Sequence, residues 1–171
     1  SVTGARHVIA CSSGTAALHL ACLGFGLTTR DLGVTSPISF VASSNCFEYC
    51  GAASDFVDID SATLCISPER LREYCKGRKP PRIVIAVSFA GVPAPLSDLR
   101  NLANEFGFWL VEDAAHSLGS SYSLGVARHA SASCAHSDAA ILSFHPVKTI
   151  TTGEGGAVTT NDDVLANRIR Q

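Results

Sequence analysis

The chain has no methionine among its 171 residues, and it stops inside a helical pattern at Arg168-Ile169-Arg170-Gln171. It is therefore expected to be a piece of a longer protein. Other shortages exclude whole classes. No apolar run approaches the roughly 20 residues that a membrane-spanning helix needs. Ser1-Val2-Thr3-Gly4-Ala5-Arg6-His7 lacks the make-up of a secretory leader. Thirteen basic against 15 acidic side chains leave a net charge of −2, which gives no argument for nucleic acid or an anionic membrane. Charged residues are only 16% and apolar ones 46%, so a disordered chain is excluded. There is no Gly-x-Gly-x-x-Gly fingerprint and no Walker A loop, which argues against a nicotinamide domain or a P-loop nucleotide site. Internal repeats and linkers are missing too.

Cysteine is the exception, with seven residues. Their number is odd and their positions scattered, several of them (Cys11, Cys22, Cys46, Cys50) inside apolar patterns. Reduced cysteines used as small hydrophobes look like this, and they favour a cytoplasmic protein. His129, Cys134 and His136 lie close together without any zinc-ligand spacing, so no metal site is expected.

What is present is an alternation of short apolar strands and helices. Val8–Cys11, Gly33–Ser36, Ser54–Asp60, Phe108–Val111, Ala139–Leu142 and Gly156–Thr160 read as strands. Ile83-Val84-Ile85-Ala86-Val87-Ser88-Phe89 is uniformly apolar at its centre, the mark of a strand buried on both faces of a parallel sheet. Helices are expected over Ala16–Leu23, Ser39–Cys50 with Ser39 as cap, and Pro68–Cys75 with Ser67 as cap. A further helix runs through Leu96, Leu99, Leu102, Ala103 and Phe106 to Gly107, and the last opens at Asp162-Asp163. Tyr122–Cys134 is weakly patterned, a loop or hairpin. The sum is a single α/β domain, a three-layer αβα sandwich with a mainly parallel sheet.

Four stretches carry candidate chemistry. Ser12-Ser13-Gly14-Thr15 opens a helix, offering free N–H groups and hydroxyls to a phosphate, although plain N-capping would use the same residues. Phe40 sits at the start of the next helix, where it could stack on a flat ring or simply join the core. Glu112-Asp113-Ala114-Ala115-His116 follows a parallel strand, where α/β folds place ligands. One carboxylate there could pair with a protonated pyridine nitrogen and His116 could bond another ring substituent; a helix cap and a core histidine are the plain alternatives. Finally, Ser143-Phe144-His145-Pro146-Val147-Lys148-Thr149 leaves a strand with a lone lysine. A partly desolvated lysine amine attacks carbonyls, pyridoxal phosphate (PLP) above all, while a surface lysine would fit the same position.

These stretches resemble, in order, the PLP-dependent sugar aminotransferases of the DegT/DnrJ type, within the fold-type I (aspartate aminotransferase-like) superfamily. The resemblance is carried by Ser13-Gly14-Thr15-Ala16-Ala17-Leu18-His19-Leu20, by Thr35 through Asn45, and by Phe56-Val57-Asp58-Ile59-Asp60. Val111-Glu112-Asp113-Ala114-Ala115-His116-Ser117-Leu118-Gly119 and the Lys148 stretch through Gly156 complete it. That last stretch looks most like the subgroup acting on UDP-4-keto-6-deoxy-N-acetylhexosamines on the route to pseudaminic acid.

The resemblance implies that residues 1–171 are the PLP-binding large domain, with a small C-terminal domain lying outside it. It implies Lys148 as the Schiff-base amine and proton shuttle, Asp113 at the pyridine nitrogen and His116 at the ring oxygen. Gly14, Thr15 and Ser143 would take the phosphate, and Phe40 would cover the ring. An amino acid, glutamate in the usual case, would be the donor and a nucleotide-linked 4-keto sugar the acceptor, in a homodimer with shared sites. Thr149, where many relatives carry proline, and residues 122–136 depart from the pattern. The competing reading is a PLP-binding domain without turnover of its own.

Overall fold

A computed structural model describes residues 2–171. Strand β1 (His7–Cys11) leads into helix α1 (Gly14–Gly24); β2 (Leu32–Thr35), α2 (Ala42–Tyr49) and β3 (Ala53–Phe56) follow. Next come α3 (Pro68–Gly77), β4 (Ile83–Val87), α4 (Leu96–Phe106) and β5 (Trp109–Asp113). A hairpin, β6 (Ser121–Leu124) and β7 (Ala127–Ala130), precedes β8 (Ala139–Ser143), β9 (Gly156–Thr160) and α5 (Asp163–Arg170).

Seven strands form one sheet in the order β1-β9-β8-β5-β4-β2-β3. The pairs β3–β2, β2–β4, β4–β5 and β5–β8 are parallel, and β9 runs antiparallel to both β8 and β1. The uninterrupted apolar run of β4 is buried throughout. Its side chains alternate between two cores, as the pleat requires. Ile83 and Ile85 join α1, α2 and α5 on one face, while Val84 and Ala86 join α3 and α4 on the other. Helices therefore cover both faces, and the expected three-layer α/β domain with a mainly parallel sheet is what the chain forms.

Local signals behave as their chemistry dictates in most places. The Ser67 hydroxyl accepts from Arg70 N–H with Pro68 at the first helical position. Asp162 accepts from Val164 and Leu165 N–H, and Gly107 closes α4 at φ 79°. Ser39 does not cap α2. The helix begins later, behind Val41, whose φ of −54° is already helical, and no side chain caps it. Ser39 instead donates to the Phe40 carbonyl. The strand expected over Ser54–Asp60 is shorter, because β2, its partner, runs out at Thr35 opposite Phe56.

Cys22 and Cys46 are packed in the core between α1 and α2, with Cys11 and Cys50 half-buried against it, and all seven cysteines are free thiols. His129 and His136 meet edge to face at 4.9 Å, and Tyr122 Oη lies 2.8 Å from His136 Nδ1. Cys134 turns away to the Thr159 carbonyl. No helix among the described residues is long and apolar enough to cross a membrane.

Candidate active site

The parallel strands β4, β5 and β8 end at one edge of the sheet, and the chain reverses its winding direction between β3 and β4. Such an edge leaves a crevice. Here it is a cavity of about 340 Å³ bounded by Val87, Asp113 and Ser143 at the strand ends, and by Ser13, Gly14 and Thr15 at the start of α1. Phe40, His116 and Lys148 complete its wall. Every residue singled out in the sequence for cofactor chemistry thus lines a single hollow, although Gly14 and Lys148 stand at opposite ends of the chain.

At the α1 end, Ser13 caps the helix, its hydroxyl accepting from Ala16 N–H at 3.1 Å. The capping alternative therefore holds for Ser13 itself. The N–H groups of Gly14 and Thr15 have no acceptor among the described residues. They face an opening at the positive end of the helix, an arrangement suited to an anion. The backbone there is tightly packed. A Cβ at Gly14 would lie 2.8 Å from the Ser143 Cβ, and one at Gly156 would collide with the Ser13 carbonyl. Gly156 is needed because its backbone touches that of Ser13 and Gly14, and Gly14 because the Ser143 side chain sits against it.

On the sheet floor, Asp113 is almost wholly buried. Its Oδ2 accepts from the Ser43 hydroxyl at 2.8 Å and its Oδ1 from Ala115 N–H at 3.1 Å. Each oxygen keeps a second lone pair. Burial pushes the carboxyl up from its ordinary value, and the Ser43 and Ala115 donors pull it part of the way back, helped by His116 and Lys148. No helix follows Asp113, so the capping alternative fails for it.

His116 is half-buried, its ring 5.9 Å from that of Phe89. Desolvation, then the nearby Lys148 cation, hold its imidazole below the ordinary value against the opposing pull of Asp113. Lys148 sits in the loop between β8 and β9, its N–H bonded to the His145 carbonyl. Its amine has no hydrogen-bond or ion-pair partner among the described residues.

Phe40 lines the wall but is 67% exposed, so it is not a core residue. Ser143 contributes its side chain where β8 leaves the sheet.

Sequence reasoning missed Ser43, which lies three residues after Phe40. It also passed over His145 and Glu154, which line the cavity mouth with Nε2 and Oε1 3.8 Å apart. Helical spacing from Phe40 was the available signal for Ser43; for Glu154 there was none, because a loop has no period.

The arrangement fits PLP. It joins an anion cup too crowded for a Cβ, a buried carboxylate able to hold a cationic ring nitrogen, and an unpaired amine.

Comparison with known proteins gives the same direction. The profile of the DegT/DnrJ/EryC1/StrS aminotransferase family matches residues 1–171. The crystal structure of DesI in the presence of its TDP-sugar product is similar over 99% of this chain and 41% of that one, with 32% identity and a TM-score of 0.87. PseC of Helicobacter pylori, an aminotransferase involved in pseudaminic acid biosynthesis, covers 99% of this chain and 44% of its own, at 27% identity and a TM-score of 0.88. NtdA of Bacillus subtilis with the cofactor PMP bound covers 96% of this chain and 35% of its own, at 28% identity and a TM-score of 0.85. The chain therefore spans less than half the length of these proteins.

Proposed function

Because the chain belongs to the DegT/DnrJ/EryC1/StrS aminotransferase family, whose members depend on PLP, we propose that it is the cofactor-binding large domain of a sugar aminotransferase. The reaction is transfer of an amino group from an amino acid, glutamate by preference, to the 4-keto group of a nucleotide-linked deoxysugar. One observation carries this reading: the Lys148 amine, the Asp113 carboxylate and the Gly14 turn share one cavity.

PLP bound there supplies an electrophilic carbonyl and an electron sink for proton transfer at the carbon bearing nitrogen. The chain's own residues do the rest. Lys148 Nζ would hold the cofactor through that carbonyl carbon and would carry the proton in the transfer. Asp113 would keep the ring nitrogen protonated, since a carboxylate without water offsets a cation strongly. Its orientation comes from Ser43 and Ala115. The Gly14 and Thr15 N–H groups and the Thr15 and Ser143 hydroxyls would bind the phosphate. His116 would contact the ring oxygen, and Phe40 would cover the ring face and exclude water.

For the substrate, the Ser143-to-Gly156 stretch and the likeness to the pseudaminic acid enzyme support a UDP-linked 4-keto-6-deoxy-N-acetylhexosamine. The likeness to DesI keeps other nucleotide sugars in play. Exposed apolar side chains on the cavity wall (Phe40, Val147) and near it in sequence (Val41, Ile150) support a homodimer with shared sites. The seven free thiols fit the cytoplasm.

Incubation with PLP and reduction by borohydride should fix a phosphopyridoxyl group on Lys148, found by peptide mass spectrometry. Lys148→Ala should take none; covalent capture by that variant would overturn the assignment. A glutamate-dependent amination assay then separates transaminase from a PLP-binding domain without turnover. The second reading is favoured for residues 1–171 by themselves, which span 35–44% of the three relatives compared.

A further inference from the structure

Glu112 is 1% exposed and lies outside the cavity. A buried carboxylate with no part in the chemistry is costly unless it is well bonded. Its Oε1 accepts from the Ser88 hydroxyl at 2.9 Å and its Oε2 from Ala132 N–H at 2.9 Å. Ser88 is a hub. Its own N–H donates to the Asp113 carbonyl at 3.0 Å, and its Oγ accepts from Ala94 N–H at 3.0 Å. Those bonds close the neck of the 88–94 loop.

That loop is strained, with Ala90 at φ 51°, a left-handed conformation that a non-glycine residue keeps only where its surroundings impose it. It is also applied directly to the cavity wall. Phe89 lies against the His116 ring, and the Gly91 carbonyl accepts from the Ser120 hydroxyl at 2.8 Å, clamping the segment that carries His116.

We propose that Glu112 is the positioning residue for His116: its carboxylate fixes the neck of the 88–94 loop through Ser88, and that loop sets the His116 ring in the cavity. Glu112 touches no substrate and acts only through this chain of contacts. The inference rests on the reading that His116 serves a PLP site.

The charged groups that face His116 are Lys148 and Asp113. Glu112 is not among them, so its removal reaches the imidazole either through the loop or, as a charge effect, through its neighbour Asp113, and a charge-removing variant separates the two. The test uses the full-length protein with 13C-labelled histidine, the His116 signal being assigned from His116→Asn. Two quantities are read for each variant, the His116 titration midpoint by NMR and the PLP dissociation constant by absorbance.

Glu112→Ala should move the His116 midpoint up towards the ordinary value as the ring loses its cover. It should weaken PLP binding about tenfold, the scale of losing a supporting partner behind a binding group. Phe89→Ala should reproduce both effects, and Glu112→Gln, which removes the charge but can still accept from Ala132 N–H while its amide donates to Ser88 Oγ, should produce neither. An unchanged midpoint in Glu112→Ala overturns the proposal, as does a Gln variant that shifts as far as the Ala one, since charge alone would then be the cause. If Glu112→Ala does not fold, Phe89→Ala decides, and a wild-type midpoint there overturns the proposal. Wild-type protein that takes up no PLP removes the functional reading, while the titrations still decide the role of Glu112.

Discussion

Glu112 and Asp113 are neighbours on β5, both ionisable and both almost fully buried, yet they serve different regions of the molecule. The pleat sends consecutive side chains to opposite faces of the sheet. Asp113 faces α2 and the cavity, where its two donors leave lone pairs turned to the open side. Glu112 faces the other layer, where Ser88 and Ala132 take one oxygen each and tie two loops to the strand. The same burial has opposite uses. One carboxylate is left wanting a cation, which a ligand can provide, and the other is spent on backbone that would otherwise have to find its own partners.

The contrast can be broken in several places. The largest effect should be on turnover. Asp113→Asn should lower the single-turnover amination rate by roughly 100-fold, equivalent to about 3 kcal/mol, with PLP still bound. Glu112→Gln should stay within a few-fold of wild type. Equal losses in the two variants would erase the distinction.

Next in size is stability. Glu112→Ala leaves Ser88 and Ala132 donors buried without an acceptor, and should cost about 3 kcal/mol in urea unfolding. A cost below 1 kcal/mol, by the same scale, would mean the loops do not depend on it.

Asp113 should behave in the opposite sense in the cofactor-free protein. Its carboxyl is raised by burial, so its contribution is fully present below the ordinary carboxylate range and is lost as pH rises through the raised folded value. At neutral pH the group therefore subtracts from stability relative to its contribution at low pH. Asp113→Asn should raise the melting temperature at pH 7 by about 2–4 °C, corresponding to about 1 kcal/mol for a domain of this size, and the gain should vanish near pH 3. A lower melting temperature at pH 7 would sink this account.

An effect of similar size is expected from Ser43→Ala. Loss of one hydroxyl donor should cost about 1 kcal/mol and push the Asp113 carboxyl further up, read from the pH dependence of PLP absorbance.

Much of the fold was legible because it rests on local periods. The unbroken apolar run of β4 announces a strand covered on both faces, and Leu96, Leu99, Leu102 and Ala103 mark the buried stripe of α4. The α2 start was misread, since a serine before apolar residues looks like a cap, while Phe40 and Val41 here lead into the helix without one. Of the site, the stretches around Gly14, Phe40, Asp113 and Lys148 stood out singly. Ser43, His145, Glu154 and the Ser88 hub did not, because each acquires its part only from a neighbour distant in sequence or across a loop.

Composition and the strand and helix periods were enough to determine the layer architecture, and a handful of motifs, through their resemblance to a known family, pointed to the chemistry to look for. Folding alone decided that residues more than 130 positions apart meet in one hollow, and which of two adjacent acids looks into it. The reason is physical: periodicity is a property of consecutive residues, whereas pleat phase, strand order and the meeting of loops are settled only when the sheet closes against its helices.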